Sequence, residues 1–358
     1  MSEKPHQDTF FGDRFALEAL DHRDDPLRRL DEYADWDELL KSVVSVWDNP
    51  LRKSASGRKP WSPLLMLKIL VLKRLYNLSD DQTEYQACDR LSFRRFLGVG
   101  LMDKVPDSKT IWLYSEALTK KNGGRILFDR LLELLVDEGV SVKTGTIIDA
   151  TFVHVPRQIN TREENAQIKA GVTPKEWEGN LPKLRQKDVD ARWTKKGNET
   201  HYGYKDHVTV DRASKIITDF TVTSASVHDS QELPNLAKEG DSTLHGDSAY
   251  GGAPAEEMLR KRGIEPIICE KGTRGHPLTE EQKASNHTKS SVRVRVEHVF
   301  ATMENSMCGI MNRCIGFKRN QYQCGMMNFC YNLLRGKFLK AQSMKSVARE
   351  SGRAATSA

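Results

Sequence analysis

The spacing of apolar positions divides the chain into two unlike halves. PLLMLKILVLKRLY (63–76) is apolar on most sides and basic at its C-terminal end, which predicts a buried helix. Ser79-x-x-Gln82 has the form of a capping box that opens another helix. RLSFRRFLG (90–98), DSKTIWLYSEALTKK (107–121) and RILFDRLLELLVDEG (125–139) continue the helical pattern. After Thr144 the pattern changes. TGTIIDATFV (144–153) is short and β-branched and reads as a buried strand. YKDHVTV (204–210) and IITDFTV (216–222) alternate, and DRASK between them makes a hairpin. TLHGDSAY (243–250) and IEPIICE (264–270) are further strands, with helices expected in VHDSQELPNLAK and EEMLRKRG. In VRVRVEHVFATMENSM (292–307) the run V-R-V-R-V alternates with period two, as a strand would. Val292, Val296, Val299 and Met303 carry a helical stripe on toward Met307, which favours a helix.

The order strand, hairpin, helix, strand, helix, strand, helix implies a mixed α/β sheet with helices on its faces, preceded by an all-α domain. The expected divisions are an acidic segment at 1–57, a helical domain at 58–140, an α/β domain at 141–340 and a tail at 341–358. Residues 157–200 lack a strong period and are read as a long polar insertion. The scattered Arg and Lys of the helical domain suit a DNA-binding bundle, and spacing alone does not separate that from a plain helical bundle.

Charge sharpens this picture. The 358 residues carry a net charge of +6. Residues 1–60 hold 10 Lys/Arg against 13 Asp/Glu, whereas 313–358 hold 9 against 1. The basic excess is therefore concentrated near the C-terminus, as in a segment that meets phosphates. Composition makes the part after about residue 341 a disordered tail. No apolar run approaches a membrane span, and MSEKPHQDTFFGDRF lacks the layout of a signal peptide. A cytoplasmic protein with reduced thiols is expected. Cys308, Cys314, Cys324 and Cys330 are spaced too widely for a usual zinc site and read as buried free thiols.

Three carboxylates carry the candidate chemistry. Asp149 lies inside an apolar strand, where an ionised group is costly unless something pairs with it. Asp247 ends another strand, just after a Gly. On adjacent strands, about 4.8 Å apart, the two carboxylates would repel, and a divalent cation such as Mg²⁺ is the usual remedy. Glu297 is the best third member, on a helix beside the strands, with Arg293 one turn before it on the same flank. Arg293 would orient Glu297 or hold a phosphate. His201, Tyr202, Tyr204 and Lys205 form an aromatic and basic cluster suited to phosphates or bases, or else are ordinary strand residues. His228 and Asp229 stand within possible reach of the site, with Asp229 read first as a helix cap.

DATFV at Asp149, HYGYKDHVTVD at 201–211, VHDS at 227–230, GDSAYGG at Asp247 and RVRVEHVFATM at Glu297 stand in the order seen in DDE transposases. Together with the helical stretch 58–98, the chain most resembles the family of insertion sequence five, across about 58–340. The resemblance implies an RNase H-like catalytic fold in which Asp149, Asp247 and Glu297 form a metal-binding catalytic triad. It implies Mg²⁺ or Mn²⁺, as two ions, and matches Arg293 to the signature Arg; Arg295, Lys205, Tyr202, Tyr204 and His228 are added, on their chemistry, as candidate DNA contacts. It implies hydrolysis at transposon ends followed by strand transfer into target DNA, by a homodimer at the bacterial nucleoid. The chain departs from the family's Tyr/Arg/Glu/Lys signature at Ser290 and Glu304. Two other readings fit the same residues: an RNase H-like nuclease or resolvase, and an inactive DNA-binding relative.

Overall fold

The computed structural model describes residues 18, 20, 22–47, 59–140, 145–272 and 275–356. About half of the acidic segment 1–57, and Thr144, lie outside them.

Among the described residues these helices come first: α1 Pro26–Tyr33, α2 Trp36–Trp47, α3 Pro63–Leu75, α4 Asp80–Asp89, α5 Leu91–Leu97, α6 Ser108–Lys120 and α7 Gly123–Asp137. Their boundaries follow local chemistry. Asp25, Ser79 and Asp107 each accept a bond from the first turn of a helix, and Gly98 ends α5 in the left-handed conformation. The helix α3, apolar all round, is the centre of the bundle, with Leu65 through Leu72 buried. Its cations are spent internally: Lys68 pairs with Asp31 at 2.6 Å, Lys73 with Asp80 at 2.5 Å, and buried Arg74 donates to the Gly309 carbonyl at 3.0 Å.

The second half builds one six-stranded sheet from β1 Thr146–His154, β2 Arg192–Lys196, β3 Glu199–Asp211, β4 Ile217–Ser224, β5 Thr243–Gly246 and β6 Glu265–Ile268. Strand β1 is central. It pairs antiparallel with β3 and parallel with β5, and β6 lies parallel beyond β5. The long β3 takes β2 along Glu199–Gly203 and β4 along Tyr204–Val210. Setting β2 aside, the order is β4-β3-β1-β5-β6, three antiparallel strands followed by two parallel ones. This mixed sheet with flanking helices is the RNase H-like arrangement expected from the sequence. The helix α12 (Ala253–Lys261) and the short α11 (Leu233–Leu236) cover one face through Ile148, Leu244, Tyr250 and Leu259. The helices α13 (Glu280–Ala301) and α14 (Phe317–Thr356) belong to the other face.

That other face does not close on itself. Val208, Val210 and Phe220 from the sheet share one continuous apolar core with Leu67, Phe93 and Phe128 from the helical half. The helix α14 joins them, packing on α7 as well as on β4. Close approach there depends on paired glycines: a Cβ on Gly124 would stand 2.7 Å from the Tyr322 carbonyl oxygen, and one on Gly325 2.9 Å from the Gly124 carbonyl carbon. The two halves thus fold as one body, more tightly than a boundary at residue 140 suggests.

Two sequence readings change. The segment 157–200, read as a long polar insertion without a period, carries secondary structure of its own. It holds α8 (Arg162–Lys169), α9 (Lys175–Glu178), α10 (Leu181–Arg185) and β2. A Thr161–Glu164 capping box starts α8, and the Glu164 carboxylate accepts from the buried Trp177 indole at 2.6 Å and from Lys183 at 2.9 Å. One aromatic anchor orders a polar stretch that shows no period. The tail, in turn, is helical: α14 continues to Thr356. No proline interrupts it and most of its residues tolerate a helix, so composition alone misled.

A carboxylate pair at the strand ends

Parallel pairing sets Ile147 opposite His245, and Asp149 and Asp247 lie two residues further along their strands. They therefore stand at the same level where β5 ends. Between them, a Cβ on Gly246 would meet Ile148 Cγ2 at 3.2 Å, so the strands approach closely there. Asp149 is held from two sides: Oδ1 accepts from the Ala150 amide at 2.8 Å and Oδ2 from Arg293 Nη1 at 3.0 Å. Asp247 caps the single turn Ser248–Tyr250 by accepting from the Ala249 amide at 2.9 Å.

Burial pushes the Asp149 carboxyl up to about 6, against the pull of the Ala150 amide and Arg293, and the Asp247 charge adds to the rise. Tyr250 is buried beside the pair. Its phenol is raised first by burial and then by Asp149, Asp229, Asp247 and Glu232, and its hydroxyl has no hydrogen-bond partner among the described residues. The site is therefore rich in negative charge and incompletely compensated.

VRVRVEHVF is helical, within α13. Val296 and Val299 face the core, and Arg293 reaches both carboxylates on its flank, with Nη2 standing 3.6 Å from Glu297 Oε1. Glu297 itself is 58% exposed. The structure thus brings Asp149 and Asp247 together and leaves Glu297 one guanidinium away. Among the described residues no three His, Cys, Asp or Glu side chains are gathered closely enough to hold one metal ion. The paired Asp oxygens are nonetheless the donor type that hard divalent cations take, and a desolvated carboxyl beside a second one fits such an ion.

The other predicted contacts separate. Arg295 is exposed and donates to the Arg212 carbonyl at 2.9 Å. His228 is exposed, and its Nδ1 accepts from the Ser230 amide at 3.3 Å. His228, not Asp229, is therefore the cap of the following turn. Lys205 is committed internally, donating to Asp229 Oδ1 and to the Val227 carbonyl, each at 2.8 Å. Tyr202 and Tyr204 are corrected: both are buried on the core face of β3, and the Tyr204 hydroxyl donates to Asp188 at 2.7 Å. A 13-residue strand alternates its faces, and these two fall on the inner one. At the two positions that depart from the signature, Ser290 lies 3.7 Å from the Cys269 sulfur and Glu304 accepts from the Ile310 amide at 3.0 Å.

Sequence reasoning missed Tyr250 and the Lys205–Asp229 pair. The tyrosine stood in GDSAYGG without a role, and its burial among acids depends on how β5 turns. All four thiols are free, but only Cys324 and Cys330 are buried; Cys314 is half-buried and Cys308 is exposed, so the expectation of burial fails there.

Residues 141–333 match the family described as "Transposase DDE domain", and residues 15–117 match "Transposase domain (DUF772)". A cryo-EM structure of the piggyBac transposase synaptic complex with hairpin DNA is similar at 12% identity and TM-score 0.45, over 90% of this chain and 76% of that one. A crystal structure of a pre-cleavage Mos1 transpososome aligns at 11% identity and TM-score 0.19, over 81% of this chain and 82% of that one. The first match spans more than half of the residues, so the chain belongs to the family of the transposase DDE domain.

Proposed function

We propose that this transposase hydrolyses phosphodiester bonds at the ends of a mobile DNA element and joins the freed 3′-hydroxyls to target DNA. The single observation that carries the reading is that Asp149 and Asp247 stand level at the end of β5, with Arg293 of α13 bonded to Asp149 and reaching toward Glu297. The order of the motifs favours the family of insertion sequence five among the DDE enzymes.

Asp149, Asp247 and Glu297 would hold Mg²⁺ or Mn²⁺, as a pair of ions, with Glu297 turning inward from its exposed position. Held by these carboxylates, a divalent metal would supply activation of the attacking oxygen and offset charge on the leaving one. The residues of the chain do the rest. Asp149 and Asp247 are fixed by backbone amides before substrate arrives, so little reorganisation is needed. Arg293 holds Asp149 and has a second nitrogen toward Glu297, and it offers a cation to a phosphate oxygen that enters between them. Two element ends must be held together, so the working form on DNA is a homodimer. Among the described residues no helix is long and apolar enough to cross a membrane.

The test uses duplexes made from the DNA on either side of the gene as end substrates. Wild type should nick the 3′ ends in Mg²⁺ and join pre-cleaved ends to a plasmid, while Asp247→Asn abolishes both and still binds the duplex. Nicking without joining would make the chain a nuclease. Binding without nicking would make it an inactive relative.

A further inference from the structure

A second basic site lies on the opposite flank of α13 from the carboxylates. At helical spacing Arg293 and Glu297 share one side of the core stripe Val292–Val296–Val299. Arg295, His298 and Thr302 share the other. A cavity of about 460 Å³ opens on that side, between the end of α13, the β3–β4 turn and α14, lined by Lys215, His298, Thr302, Asn305, Tyr331 and Arg335 among others.

The site is built and not merely charged. Lys215 sits in the turn with φ +60°, a left-handed conformation uncommon for residues other than Gly. It is held three ways. The Lys215 amide donates to the Asp211 carbonyl at 3.0 Å, Tyr331 Oη donates to the Lys215 carbonyl at 2.8 Å, and Arg335 Nε donates to the Ser214 carbonyl at 2.7 Å. The next turn of chain is pinned as well, through Asn332 and the Ile217 backbone. The cations so arranged have no acid among them. Lys215, Arg295 and Arg335 form no ion pair with a carboxylate among the described residues, and the charges that act most on the Lys215 amine are those of Arg335 and Arg295. Burial and that repulsion both hold the amine below its ordinary range. Such crowding costs stability unless an anion comes to it. The patch continues along α14 to exposed Lys345, seven residues past Phe338 on the same helix face.

We infer that Lys215, Arg295, His298 and Arg335 bind the phosphodiester backbone of double-stranded DNA, at a site separate from the catalytic carboxylates. The inference rests on the transposase reading for its ligand. It assigns the duplex a second track across the far side of α13, where its phosphates stay away from the bonds being cut. A long rigid helix between the two sites keeps them apart.

The full-length protein tests this with a labelled duplex of random sequence and fluorescence anisotropy over a range of salt. Lys215→Gly removes the ammonium and suits the positive φ, so the turn is retained, and a thermal melt checks folding. Lys215→Glu reverses the charge. The expected result is affinity weakened about three- to ten-fold by the first and more by the second, with the salt slope shallower by about one for each phosphate lost. Unchanged affinity and slope in both folded variants would overturn the site. Nicking of end substrate by wild type and its loss in Asp247→Asn report on the catalytic reading separately. A chain that binds through Lys215 but never nicks keeps this site and loses that reading.

Discussion

Arg293 Nη1 lies 3.0 Å from Asp149 Oδ2, linking residues 144 positions apart in sequence. That bond puts a cation between the buried carboxylate and Glu297, where a divalent ion and its phosphate ligand are proposed to act.

Removing the guanidinium leaves Asp149 desolvated beside Asp247. Arg293→Ala should therefore lower stability by about 1–3 kcal/mol, since breaking a buried pair leaves one charge uncompensated. In an Asp149→Asn background the same change should cost much less. Added Mg²⁺ should recover more of the lost melting temperature in Arg293→Ala than it adds to wild type. Equal metal-induced shifts in thermal unfolding would remove Arg293 as a stand-in for the ion.

Asp206 should give the fold a pH dependence of its own. Fully buried on β3, it is pushed up to about 7 by burial, and it accepts from Asn328 Nδ2 at 3.3 Å. Asp206 Oδ2 and Asn328 Oδ1 are both left without partners, and a proton on the acid would join them. The folded form thus binds a proton that the unfolded form, with a pKa near 4, has lost. Stability should fall as pH rises from about 4 to about 7 and then level off, by a few kcal/mol at most. Asp206→Asn makes the same pair of bonds without titrating. Its denaturation midpoint should exceed that of wild type at pH 8 and match it near pH 4.

Lys205 is expected to matter for folding and not for DNA. Its ammonium is 12% exposed and tied to Asp229, next to buried His207. Lys205→Met should cost about 1–3 kcal/mol, as for a partner removed from a buried charged bond. The slope of duplex affinity against salt should stay as in wild type. A slope shallower by one would return Lys205 to the DNA interface.

Gly124→Ala should be strongly destabilising although alanine is the better helix former. The added carbon would stand 2.7 Å from a backbone oxygen of α14, which cannot turn aside as a side chain would. The expected loss is about 2 kcal/mol or more, read by urea denaturation. Because α7 and α14 join the two halves, both should unfold together.

Much of the fold was legible because it is written in short range. The apolar face of α3, the Ser79 cap, the DRASK turn and the alternation of β3 and β4 each follow from neighbours a few residues apart. So does the helix in VRVRVEHVF, where the stripe from Val292 to Met303 outweighs the period-two run. The segment 157–200 was not legible, because its order hangs on Trp177 reaching Glu164, a contact that leaves no period.

For the site, sequence by itself determined the residue types: a carboxylate in an apolar strand, a second after a Gly, and an Arg–Glu pair one helical turn apart. Only the tertiary structure decided which of them meet. Parallel register set Asp149 level with Asp247, burial raised the first, and the lean of α13 gave Arg293 to Asp149 while leaving Glu297 in solvent. Strand alternation alone fixes two faces but not which one is covered, so it took packing against the helical half to bury Tyr202 and Tyr204 and to draw Lys205 to Asp229.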